Sequence, residues 1–118
     1  MKHILWVSRH APTPEQMAQL TRILKDSDII VARYFDNIVR DTTLVKKYRS
    51  GKYDDLVVTL PTEMIGRLCT LGIHPIRAVH EMTGVDPDTN MRQYRFLRFE
   101  RVKSVKVKTE QFPGEDDD

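Results

Sequence analysis

Four consecutive apolar residues, Ile4-Leu5-Trp6-Val7, lead within a few positions into a helix start at Thr13-Pro14-Glu15-Gln16. An unalternated apolar run suits a strand buried on both faces, whereas a strand with one wet face alternates. Thr13 is placed to cap the helix, Pro14 suits the first helical position, and Gln16 can return a hydrogen bond to the cap. A doubly buried strand followed at once by a helix commits the chain to layers, because helices must then cover both faces of a sheet.

The alternation repeats along the chain. A first helix is predicted over 14–25, with Met17, Leu20 and Leu24 at helical spacing. Ile29-Ile30-Val31-Ala32 is a second strand, left through Arg33-Tyr34-Phe35-Asp36. A weaker helix, capped by Asp36 or Asp41, runs to Ser50 with Gly51 past its end. Leu56-Val57-Val58-Thr59-Leu60 is the third strand, and Pro61-Thr62-Glu63 opens a third helix ended by Gly72. Gly66 inside that helix costs about 1 kcal/mol against Ala unless another backbone comes close. Ile76-Arg77-Ala78-Val79 is a short fourth strand. After the turn cluster at 84–90, Tyr94 to Val107 reads as one long strand or two short ones, added antiparallel at an edge.

The predicted fold is α/β: a three-layer, Rossmann-like, mostly parallel sheet of four strands with helices on both faces, plus a C-terminal antiparallel edge strand or hairpin. Residues 1–109 make one domain, a size that a 118-residue chain suits. Residues 110–118, with Glu110, Glu115, Asp116, Asp117 and Asp118, read as a disordered acidic tail. The net charge of +2 hides an asymmetry, since without those five acids the body carries 19 basic and 12 acidic residues. A basic body favours an anionic ligand. No run approaches the ~20 apolar residues of a membrane span, and the start lacks a secretory pattern, so no membrane association and a cytoplasmic location are expected. Cys69 is the sole cysteine and sits in an apolar helical pattern, which predicts a buried structural thiol.

Parallel strands joined by crossover helices bring their carboxyl ends to one edge, where ligands bind in open α/β sheets. The loops at that edge are expected to contribute Ser8, Arg9 and His10; Arg33 and Tyr34; Thr59, Pro61 and Thr62; and His80. Neither G-x-G-x-x-G nor G-x-x-x-x-G-K-[ST] is present, which argues against ordinary dinucleotide and NTPase sites. An anion in the first turn must then be held by side chains and the helix amino terminus, with Arg9 offering a fork and Ser8 or Thr13 a hydroxyl. His10 is the candidate acid–base or nucleophilic group, because imidazole titrates near neutral pH. Without H-E-x-x-H or paired-cysteine spacing, neither a metal nor another cofactor is expected. Arg92, Arg95, Arg98, Arg101, Lys103, Lys106 and Lys108 alternate with Tyr94, Phe96 and Phe99. That composition could contact nucleic acid by charge and stacking, but a charge-protected edge strand explains it equally well, and direct polynucleotide binding is not expected.

Trp6-Val7-Ser8-Arg9-His10, then Thr13-Pro14-Glu15-Gln16, with Val58-Thr59-Leu60-Pro61 ending the third strand, resembles the small stand-alone members of the CRISPR-associated Rossmann-fold (CARF) superfamily. The likeness covers about the first 80 residues. It implies a cytoplasmic homodimer of antiviral defence that binds, and in some members cleaves, a cyclic oligoadenylate messenger as a ring nuclease. It would put Ser8, Arg9, His10 and Thr13 in one ligand-contacting loop and Thr59, Pro61 and Thr62 in another. A second resemblance, of Arg9-His10 and Thr13 to the first strand end of histidine phosphatases, implies a phosphorylated His10 and a phosphate-binding Arg9. The chain departs from that family in lacking a helical insertion and a glycine after His80. A third reading is a non-catalytic interaction or inhibitor protein that pairs through the Tyr94–Lys108 strand.

Overall fold

The buried run at the amino terminus lies one strand in from the edge of a five-stranded mixed sheet. A computed structural model describes residues 1–35 and 40–106; Asp36, Val107, Lys108 and the acidic segment 110–118 lie outside them. β1 (Lys2–Val7) pairs in parallel with β2 (Ile29–Tyr34) and β3 (Asp55–Val58), and β3 pairs in parallel with β4 (Ile76–Val85). β5 (Arg92–Arg101) runs antiparallel to β4 at the sheet edge, which makes the order β2-β1-β3-β4-β5.

Period-two alternation sorts β1 onto two cores. Ile4 and Trp6 pack with Leu20 of α1 (Pro14–Leu24), Val57, Ile76 and Phe99. Leu5 and Val7 pack on the other face with Leu44 of α2 (Asp41–Ser50) and with Ile65 and Leu68 of α3 (Thr62–Thr70). Helices therefore cover both faces. Each fully buried Leu or Ile contributes about 1.5–3 kcal/mol over its exposed state.

The helix ends follow the sequence signals unevenly. Thr13 accepts from the Gln16 backbone N–H at 3.2 Å while the Gln16 side chain accepts from the Thr13 N–H at 3.0 Å, closing the capping box. Neither Arg40 before α2 nor Pro61 before α3 supplies a side-chain cap. Gly72, at φ +80, ends α3: its N–H bonds the Cys69 carbonyl and the Ile73 N–H bonds that of Leu68, which brings Ile73 into the core beside Leu68.

Several strand boundaries differ from expectation, and β3 already ends at Val58, leaving Thr59 and Leu60 beyond it. β4 does not stop at Val79 but continues to Val85, so His80 lies within a strand and not in an edge loop. Only Ile76 and Arg77 pair with β3; beyond them β4 has β5 as its neighbour, forming a two-stranded ribbon that tolerates polar residues no doubly covered strand would. Arg33 and Tyr34 likewise belong to β2 rather than to the loop after it. β5 begins at Arg92 and leaves the sheet after Arg101, where Val102 turns inward, buried, and donates to the Pro75 carbonyl at 2.9 Å.

Arg101 fastens that departure. Its two guanidinium nitrogens reach the Asp55 carboxylate at 2.7 Å each, and one donates to the His74 carbonyl at 2.9 Å. From there residues 102–106 run back along α3, with Cys69 Sγ 3.6 Å from the Val102 carbonyl. Cys69 is half-buried against the core, and a Cβ at Gly66 would stand 3.4 Å from that of Val105. A Cβ there would meet the Val105 side chain at ordinary van der Waals distance, so alanine fits and only a longer side chain collides. Gly66→Leu is expected to push Val105 off α3, cost about 1–3 kcal/mol through overpacking, and raise the rate at which a thiol reagent modifies Cys69. An unchanged rate would mean that the segment does not cover the thiol.

Candidate functional site

The turn after β1 is pinned from below. The Trp6 indole Nε1–H donates to the His10 carbonyl at 2.7 Å, and the Ser8 hydroxyl accepts from the His10 N–H at 3.3 Å. Trp6 is held edge-on by Phe99 at 6.2 Å between ring centroids, and Phe99 leans on Phe96 at 4.9 Å. A turn that carries polar side chains is thus anchored in aromatic core, which fixes its backbone without using the side chains of Arg9 or His10.

Arg9 lies over the ring of Phe35, its guanidinium carbon 5.2 Å from the centroid. Arg33 donates to the Arg9 carbonyl at 3.2 Å. These residues and the buried Ser8 line an open hollow of about 640 Å³ above the ends of β1 and β2. Among the described residues no ion pair involves Arg9 or Arg33. Two guanidiniums, a hydroxyl and an aromatic face provide for a phosphate group and for a flat ring stacked beside it.

A second hollow, of about 320 Å³, lies between the ends of β3 and β4 and takes in Thr59, Thr62, Arg77 and His80. The Thr59 N–H donates to the Val7 carbonyl at 2.9 Å, continuing the β1–β3 ladder past the strand end. Between these two strands lies the place where the chain's crossovers reverse direction, the ligand-binding crevice of open α/β sheets.

No protein-family model, curated protein or solved structure matches the chain. What the edge can do chemically follows from its own side chains.

The structure brings Ser8, Arg9 and Arg33 together at one hollow and Thr59, Thr62 and His80 at the other. His10, Thr13 and Pro61 are exposed beside them and line neither among the described residues. The Thr13 hydroxyl is engaged in its capping box, and the His80 ring stands edge-on to Phe96 at 5.7 Å. Tyr34 turns to the α2–α3 core, with the Lys47 ammonium 5.0 Å from its ring centroid. Sequence reasoning missed Phe35 and Arg77. The signal for Phe35 was an aromatic residue just past a basic strand end; Arg77 gives itself away only through register, opposite Val58.

The basic ladder of β5 is largely neutralised. Arg95 pairs with Glu81, Arg98 with Glu100 at 3.7 Å, and Arg101 with Asp55, while Arg77 of β4 also reaches Glu100 at 3.8 Å. The opposite ribbon face sets Met82 against Tyr94 and His80 against Phe96. Among the described residues no group of three or more His, Cys, Asp or Glu is placed to hold a metal, and no helix is long and apolar enough to cross a membrane.

Proposed function

We propose that the carboxyl edge of the sheet binds a phosphate-bearing ligand, and that this ligand is a cyclic oligonucleotide of the oligoadenylate kind. The observation that carries the reading is the hollow in which Arg9 and Arg33 converge beside Phe35 and the buried Ser8 hydroxyl. Phosphate engages the guanidiniums, and a base stacks on the aromatic face. The β2-β1-β3-β4 order, with helices on both faces, supports reading the domain as Rossmann-like and the chain as CARF-like. Because the hollow is open to solvent, a second copy of the chain closing over it completes the reading as a homodimer.

In the catalytic form of this function, a ribose 2′-oxygen attacks the adjacent phosphorus and the P–O5′ bond breaks, leaving a 2′,3′-cyclic phosphate and a 5′-hydroxyl. His10, exposed on the turn beside the hollow and not part of its lining, takes the 2′-hydroxyl proton from ligand that extends past Arg9 and returns one to the departing 5′-oxygen, while Arg9 faces the charge that gathers on phosphate.

A thermal-shift series with cyclic tetra- and hexa-adenylate, AMP and inorganic phosphate tests the binding. Ligand at about 100 times its dissociation constant adds about 2.7 kcal/mol, a shift of several degrees for a domain this size. Failure of every phosphate-bearing compound to raise the melting temperature would overturn the reading. A 2′,3′-cyclic phosphate among the products would mark cleavage.

A further inference from the structure

Resting on that reading, we infer that the ligand is held at two places across the edge, so that it must carry at least two well-separated phosphates. The second place is a basic hollow of about 470 Å³ on the α3 face, lined by Thr62, Arg77, Lys103, Ser104 and Lys106 with one acid, Glu100. Thr62 and Arg77 also line the hollow between β3 and β4, so the two are neighbours. Among the described residues no ion pair involves Lys103 or Lys106, in contrast to the arginines of β5.

Register gives the span. Tyr34, Val7, Val58 and Arg77 form one row across β2, β1, β3 and β4. Three strand spacings separate its ends, about 14 Å. Arg33 precedes Tyr34 at one end of the row, and Arg77 stands at the other. A mononucleotide reaches one end only; an oligonucleotide laid across the β1–β3 crevice reaches both. The two ends differ in kind, since the first offers an aromatic ring with its guanidiniums and the second a cluster of cations and hydroxyls around one acid, with no aromatic ring. The structure thus assigns base stacking to the β2 end and phosphate contact alone to the α3 end.

The experiment compares wild-type protein with a Lys103→Ala/Lys106→Ala variant, binding linear oligoadenylates from the dinucleotide to the hexanucleotide across a salt series. Both lysines are exposed, so the variant should melt with the wild type. Wild-type affinity is expected to rise more than tenfold between the dinucleotide and the tetranucleotide. In the variant that rise disappears, and the slope of log affinity against log salt falls by about 0.7 for each phosphate that no longer meets a lysine. Binding that is independent of length, or a length dependence that survives in the variant, overturns the two-point inference while leaving the phosphate site in place. Absence of binding to any oligonucleotide removes both.

Discussion

An Arg9→Ala/Arg33→Ala double variant is expected to lose cyclic oligoadenylate binding by about 100-fold or more while keeping its melting temperature within a few degrees of wild type. Hydrogen bonds to charged groups contribute about 1.5–3 kcal/mol each, and each 1.4 kcal/mol is about a tenfold change in affinity. Both side chains are exposed, and exposed substitutions usually stay within about 0.5 kcal/mol in stability. Arg9 also rests on Phe35, and Arg33 holds the Arg9 carbonyl, so the two act as a unit and their single variants should not add. The Lys versions keep charge but lose the planar fork and the stacking, which places them between wild type and the Ala variant. Calorimetric titration measures the losses, and an unchanged dissociation constant in the double variant would detach these arginines from the ligand.

Trp6→Ala is expected to remove about 3–5 kcal/mol of stability, a large part of what holds a domain of this size. Trp6 is 3% exposed and joins Phe99, Ile4 and Leu20 in one core. Trp6→Phe separates packing from anchoring, because a benzene ring refills much of the space yet has no N–H for the His10 carbonyl. That variant should fold, melt somewhat lower, and bind ligand more weakly through a loosened turn. Denaturant unfolding and the binding titration read the two effects apart. If Trp6→Phe binds as tightly as wild type, the indole hydrogen bond does not position the site.

The layered arrangement was legible because the signals for it are local. The run Ile4–Val7, the reciprocal Thr13 and Gln16, and the glycine ending α3 each fix a short stretch whatever lies elsewhere. The ribbon was less legible. His80, Glu81 and Thr83 look like the end of a strand when burial on both faces is demanded, and only the pairing with residues 93–96 keeps them extended. The turn after β1 was readable as a candidate anion site from Ser8, Arg9 and His10, since a strand end meeting a capped helix announces itself. Its partner Phe35 was not, because the cation–π contact depends on β1 and β2 lying side by side in a given register. Lys103 and Lys106 stood out only as members of a basic ladder, and their place beside α3 was not readable for the same reason: the return of the chain along α3 depends on contacts made far apart in sequence, at Gly66 and Asp55.

The rings of Phe96, Phe99 and Trp6 stand one against the next from the root of the ribbon to the indole that grips the His10 carbonyl. Close-packed interiors transmit displacement rather than absorb it. Displacement of the β4–β5 hairpin is therefore expected to reach, through these three rings, the backbone that carries Arg9. The indole proton of the chain's single tryptophan offers a way to read such a displacement in solution without altering a residue.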